Sequence, residues 1–243
     1  KKKKKKINTI VSRHTTSVVL ALMLALLLAR SAAAGWAAPA VTQVADFGWG
    51  NQPTGVAVAP GKTTQDQRVF VCFPRWFANH SAPTAAEVHV DKATGKTTLS
   101  PYPSAAWNAW TPNSTAAETR AQLVNVQSVF TDHLGRLWVL DTGSAFLGNV
   151  TNDGGPKLLR VDLETDAVVR VYNLSDLTLP TSYLNDVRIS VDGKHAFLTD
   201  SNMGGLRHLD LETGRGRVLL AEHPSTHSEV GFVTSVEGKS MIM

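Results

Sequence analysis

A pattern written three times constrains this chain more than any other feature. Each copy reads polar residue, apolar strand, tight turn, apolar strand, then a second hairpin closed by an Asp-x-x-Thr-Gly-like turn. The first hairpins run from Gln52 through Gly55 and Val58 to Arg68–Val71, from Val126–Phe130 to Arg136–Leu140, and from Leu184–Ile189 to His195–Leu198. The second hairpins turn at Asp91–Gly95, Asp162–Asp166 and Asp210–Gly214, flanked by alternating apolar residues such as Leu158, Val161, Val169 and Val171. The turn aspartates recur at 71 and then 48 residues, so each repeat has room for four short strands. An all-β fold of four-stranded antiparallel blades, a β-propeller, follows from that spacing.

A ring of blades usually needs about four to eight of them. Three are legible: blade one over about 51–104, blade two over about 123–175 and blade three over about 183–222, with the remainder to 243 reading as the start of something further. The chain is therefore expected to be truncated, with about three of six blades present. Residues 35–50 would supply an N-terminal segment and a closing strand.

Residues 1–34 have the layout of a secretory signal peptide: a basic start at Lys1–Lys6, a 12-residue apolar run at Val18–Ala29, and small residues Ala32–Ala34 suited to cleavage. The run is shorter than the roughly 18 residues of a membrane span, and a retained signal anchor is the alternative reading. Residues 1–40 hold eight of the 24 Lys and Arg and none of the 20 Asp and Glu, so the remainder has sixteen basic against twenty acidic residues, a net charge of −4. No basic stripe survives cleavage, which argues against a nucleic-acid partner. The expected destination is extracellular, with no membrane association once the signal is removed. Four Asn-x-Ser/Thr sequons, at Asn79, Asn113, Asn149 and Asn173, are candidate glycosylation sites. The single Cys72 lies in an apolar strand and reads as a small buried hydrophobe.

Polar residues at the start of innermost strands are hard to explain as core and need water, a neighbour, a metal or a ligand. Gln52, Asn125, Gln127, Asn185 and Asp186 occupy such places. Among the aromatics, Trp138 sits inside a strand and reads as core. Trp76, after Phe73-Pro74-Arg75, sits at a strand end where it can stack on a ligand; Arg75 beside it has two readings, facing a ligand carboxylate or joining a surface ion pair. His223 and His227 have i, i+4 spacing, but Pro224 and Ser225 interrupt any helix that would put them on one face. No phosphate loop, nucleophile elbow, dinucleotide fingerprint or Cys-x-x-Cys pair is present.

The second repeat is specific enough to suggest a family. Val126-Gln127-Ser128-Val129-Phe130 with Gly135–Gly143, together with Phe73–Trp76, Pro101–Ser104, Pro156–Leu163 and Ser182–Val187, resembles the yellow and major royal jelly protein family over about residues 44–228. It is most similar to the members labelled dopachrome tautomerase-related. The resemblance implies a six-bladed propeller, secretion and a ligand site in the central channel; members convert dopachrome, bind biogenic amines or serve as nutritive secreted proteins. The stretch from Asn185 to Ser201 also resembles the gluconolactonase propellers, in which an asparagine at this place binds a divalent cation such as calcium. This chain has Gln52 where those enzymes carry an acidic residue.

These resemblances lead to three functional expectations: a secreted protein binding or tautomerising a small aromatic ligand, a metal-dependent lactonase, or a non-catalytic extracellular protein. The expected ligand contacts are Gln127, Asn185 and Trp76, with Asn185 the metal ligand in the second case. If the protein is an enzyme, Asp141 and Asp186 are the candidate carboxylates for moving the proton of a tautomerisation. For Asp141 a second reading stands beside this one: an Asp before Thr-Gly that accepts backbone N–H groups and shapes a turn.

Overall fold

Strand alternation, tight turns and the apolar inner faces produce three successive four-stranded antiparallel meanders. The computed structural model of the chain describes residues 43–47, 51–61, 67–147, 150–229 and 231–242. The expected signal peptide and Asn149 lie outside these. Blade one comprises β1 (Gly55–Pro60), β2 (Gln67–Cys72), β3 (Ala85–Val90) and β4 (Thr97–Pro101), hydrogen-bonded in that order. Blade two comprises β5 (Val126–Thr131), β6 (Leu137–Asp141), β7 (Lys157–Asp162) and β8 (Ala167–Asn173). Blade three comprises β9 (Leu184–Ile189), β10 (His195–Asp200), β11 (Leu206–Asp210) and β12 (Gly216–Leu219), and a two-stranded hairpin, β13 (Val233–Val236) and β14 (Lys239–Ile242), follows. The only α-helix among the described residues, α1 (Ala116–Arg120), lies between blades one and two, with Thr115 and Glu118 forming a capping box at its start.

The first strand of each meander is the inner one: β1 lies against β5, and β5 against β9. Side chains alternate across each sheet, so every blade offers an apolar face to the next. Between blades one and two the core gathers Ala57, Phe70, Cys72 and Tyr102 against Val126, Val129, Val139 and Leu159. Between blades two and three, Trp138, Leu140, Leu158 and Tyr172 meet Leu184, Val187, Leu198 and Leu209. Each large side chain buried this way contributes about 1.5–3 kcal/mol. Gly55 marks a close crossing of the inner strands: a Cβ there would meet Cys72 Sγ at 2.9 Å and Val129 N at 3.2 Å, so any other residue would push them apart. Phe47 and Ala45 pack on the other face of blade one, where the Phe47 ring meets Phe73 edge-on at 5.1 Å.

The three outer turns share one device. Asp91, Asp162 and Asp210 each accept two backbone N–H groups from the residues two and three positions on, and a left-handed residue closes the turn, Gly95, Asp166 and Gly214 respectively. The inner turn of blade two is tied more tightly. Asp132 accepts Trp138 Nε1 at 2.8 Å, Arg136 Nε at 2.7 Å and the N–H groups of Leu134 and Arg136 at 3.0 Å. Burial opposes its ionisation, but these donors outweigh it and hold the carboxyl below its ordinary pKa. A depressed pKa contributes stability above the ordinary carboxylate value and loses it as pH falls through the folded value. The Asp132 contribution to the melting temperature should therefore be complete and independent of pH near neutrality and be lost below about pH 4; Asp132→Asn should lower the neutral melting temperature and flatten that acid limb in a melting series from pH 7 to pH 3.

Candidate functional site

Two β-bulges at the same place in successive blades line a polar cavity. In β5 the register slips between Val126 and Ser128, leaving Gln127 as the extra residue. In β9 it slips opposite Leu198 and Asp200, so that Asn185 and Asp186 face the single Thr199. Blade one keeps regular pairing there, Gly55 with Cys72 and Val56 with Val71. A bulge re-aims the side chains it carries. The cavity, about 350 Å³, is lined by Gln127 and Asn185 with Trp76, Tyr183, Leu147, Thr181, Ser201 and Asn202. All three expected ligand contacts thus line one space.

Tyr183 is a site residue that no pattern in the sequence singles out. Its hydroxyl accepts Trp76 Nε1 at 2.8 Å and Asn125 Nδ2 at 3.4 Å, and donates to Gln127 Oε1 at 2.9 Å. Burial pushes the phenol above its ordinary pKa, with the Trp76 and Asn125 donors pulling the other way, so it remains a protonated donor at neutral pH. Because two N–H donors occupy the phenol oxygen, its proton goes to Gln127. That fixes the amide's orientation, with the carbonyl turned to Tyr183 and the N–H₂ left as the available donor. Asn125 is fully buried and anchors this chain of hydrogen bonds: its Oδ1 accepts Arg75 N at 2.6 Å and its Nδ2 donates to Ser144 O. Above the cavity, Phe146 and Leu147 sit in consecutive left-handed conformations at φ 58° and 49°. A non-glycine pair held that way is strained, and strain of this kind clusters at binding sites.

The two expected catalytic carboxylates lie off this cavity. Asp141 is fully buried and accepts Val124 N at 2.7 Å, Asn125 N and Gly143 N at 2.9 Å, and Lys157 Nζ at 3.0 Å. Asp186 turns toward blade two, where its Oδ1 accepts Ser128 Oγ at 2.8 Å and Arg188 NH1 at 2.7 Å. Gln52 is exposed and outside the lining. Arg75 donates to the backbone carbonyls of Leu123, Val124 and Asn108 and shapes the loop behind Asn125. Trp138 is core, as its strand position suggests. Cys72 is fully buried, and burial pushes its thiol up to about 11. His223 accepts Ser225 N inside a 3₁₀ turn over Pro224–Thr226.

Around Asn185 the described lining offers only neutral oxygens, from Gln127, Thr181, Ser201 and Asn202. Calcium favours carboxylates, and no group of three His, Cys, Asp or Glu among the described residues lies within metal reach. The donor set does not fit a resident calcium ion. Asn79, Asn113 and Asn173 are exposed.

Comparison with known proteins places these features. Residues 124–234 match the family model described as major royal jelly protein. Protein yellow of Drosophila melanogaster is 33% identical over 146 residues, 57% of this chain and 26% of the relative; protein yellow of Drosophila subobscura is 32% identical over the same length, 24% of that protein. The chain therefore spans about a quarter of the curated relatives it matches. Among solved structures, a periplasmic gluconolactonase of Pseudomonas aeruginosa overlaps 74% of this chain and 59% of its own, at 18% identity and a TM-score of 0.34. The class is an all-β protein of propeller-type blades with a polar cavity at the inner-strand starts. Within that class, the chain is similar to the yellow and major royal jelly protein family, whose model it matches over residues 124–234.

Proposed function

We propose that this is a secreted ligand-binding protein whose cavity takes a small planar aromatic molecule bearing hydrogen-bond acceptors. The observation that carries the reading is the Trp76–Tyr183–Gln127 relay, which sets an indole face beside an amide locked as donor. A volume of about 350 Å³ suits one or two fused rings. None of the described lining residues bears a formal charge, so a carbonyl, quinonoid or hydroxyl oxygen is better matched than an ammonium group, which would want a carboxylate. Neutral aminochrome- or indolequinone-like compounds thus fit better than simple biogenic amines. Binding without proton transfer is favoured, because both candidate carboxylates have their partners elsewhere. Export is supported by the leader-like composition of residues 1–34 and by the similarity to the yellow and major royal jelly protein family.

Titrating the folded chain with a hydroxyindole or an aminochrome while following tryptophan fluorescence tests this. Binding should quench the signal, and Tyr183→Phe, which frees Gln127 to flip, should weaken it by about tenfold, the equivalent of one hydrogen bond to a well-placed partner. Affinity unchanged by both Tyr183→Phe and Trp76→Leu would rule out this cavity as the site.

A further inference from the structure

On the face of blade three away from blade two, two histidines meet across the ladder. His195 on β10 and His208 on β11 approach with Nδ1 and Nε2 3.2 Å apart and ring centroids at 5.1 Å. Phe197, next but one along β10, packs on His208 at 5.3 Å between centroids and helps hold that ring. Both histidines are half-buried, so the pair has limited freedom but is open to solvent. A zinc ion bound at about 2.0–2.1 Å by each of two imidazole nitrogens at a tetrahedral angle separates those nitrogens by about 3.4 Å. The observed spacing therefore matches the separation that a shared metal requires, and a turn of the rings would aim both lone pairs at it.

We propose that His195 Nδ1 and His208 Nε2 form a binding site for a borderline divalent transition metal such as Zn²⁺ or Cu²⁺, with water completing the coordination. In the metal-free pair, one ring must donate a proton to the other's lone pair. Metal binding uses both of these lone pairs: the ring that donated shifts its proton to its other nitrogen, so each imidazole stays neutral with its N–H on the nitrogen away from the metal. Imidazole suits these metals, whereas calcium and magnesium prefer oxygen ligands, so the site is selective by ligand type.

The surrounding charges are mixed. Asp210 lies directly across the ladder from His195, and Asp192 lies in the preceding turn; both are held below the ordinary carboxylate pKa, Asp210 first by the Thr213 N–H and Asp192 first by Ser190. Arg217 stands opposite His208 and Arg188 opposite Phe197, and Lys194 adjoins His195. Arg188 is drawn away by Asp186 and over the Phe130 ring. The site is independent of the cavity on the channel side and stands or falls separately from the ligand-binding reading.

The test is a Zn²⁺ titration of the full chain at pH 7.5, read by calorimetry and by long-range ¹H–¹⁵N spectra of the imidazoles. One equivalent should shift the His195 and His208 signals, and His195→Asn or His208→Asn should weaken uptake at least about tenfold, or 1.4 kcal/mol. His223→Asn/His227→Asn should leave uptake unchanged. Calcium should produce no shift. Should the single variants fail to fold by circular dichroism, carbethoxylation of the unmutated chain tests the same two rings: Zn²⁺ should protect both, and their unchanged modification would count against the site. No zinc uptake, or uptake that survives both single substitutions in folded chains, overturns the site.

Discussion

Lys157→Met is expected to destabilise the folded chain by about 3–5 kcal/mol, the penalty for leaving one half of a buried ion pair without its partner. Lys157 is 2% exposed and Asp141 fully buried. The ammonium group donates to Asp141 Oδ2 at 3.0 Å and to the carbonyls of Gln122 at 2.8 Å and Gly155 at 2.7 Å. Losing it strands a carboxylate among neutral donors and removes a partner from two carbonyls. Asp141→Asn should be nearly as damaging, because the buried ammonium then loses its counter-charge. The double variant should be less unstable than the sum of the two, since neither charge is left behind. Urea denaturation of the three variants checks this. An Asp141→Asn chain as stable as the parent but unable to act on a ligand would restore Asp141 as a catalytic candidate and sink its structural role.

The same construction in blade three supports that role. Asp200 ends β10 as Asp141 ends β6, accepts the N–H groups of Tyr183, Asn202 and Met203 at 3.0 Å, and lies 2.7 Å from Arg207 NH2. In both blades the carboxylate fixes the backbone just ahead of the inner strand, at Asn125 in one and Tyr183 in the other. Those two residues then meet at the cavity. Blade one shows what happens without the device: Cys72 takes the corresponding place, pairing with Gly55 as Asp141 pairs with Val126 and Asp200 with Leu184. There Thr54 N donates to the Cys72 carbonyl instead, and no bulge forms. Two buried ion pairs thus position the polar side chains of the cavity without touching it.

The strands were legible because alternation is a local property. Val126–Phe130, Arg136–Leu140 and His195–Leu198 announce themselves by period-2 apolar residues between turns. So were Gln127 and Asn185, since a polar residue at the start of a buried strand has few explanations. Tyr183 was not, because an aromatic before an apolar strand reads as core; its importance arises from Trp76 and Asn125, 107 and 58 residues away in sequence. The bulges were equally hidden, as register is a relation between two strands. Asp141 left two readings open, and only the positions of Lys157 and three backbone N–H groups separate them. Arg75, read as facing either a ligand carboxylate or a surface acid, is bound instead to carbonyls that no pattern around it in sequence reveals.

Arg68→Ala should cost about 1.5–3 kcal/mol, as expected for a partly buried charge-assisted network, and it should act by loosening blade one from blade two. The guanidinium grips Glu87 through Nε at 2.8 Å and NH2 at 2.7 Å, reaches Asp166 at 2.7 Å and the Leu163 carbonyl at 2.9 Å, and lies 5.0 Å from the centre of the Phe70 ring. Glu87 belongs to blade one, whereas Asp166 and Leu163 belong to the outer turn of blade two. Hydrogen bonding to Glu87 raises the Arg68 pKa despite partial burial, so the guanidinium stays charged throughout the accessible pH range. Tyr102 joins from blade one by donating its hydroxyl to Asp166 at 2.8 Å. This clamp accounts for an oddity among the outer turns: Asp166 holds the left-handed position, at φ 58°, that glycine fills in the other two. Asp166→Gly therefore sets two effects against each other. It relieves about 1 kcal/mol of backbone strain and removes the carboxylate that Tyr102 and Arg68 share across the blades. Net destabilisation, smaller than that of Arg68→Ala, is the expected outcome in denaturant melts. A glycine variant more stable than the parent would mean that the clamp contributes less than the strain it imposes, and would remove the ion network as the reason for aspartate at this turn.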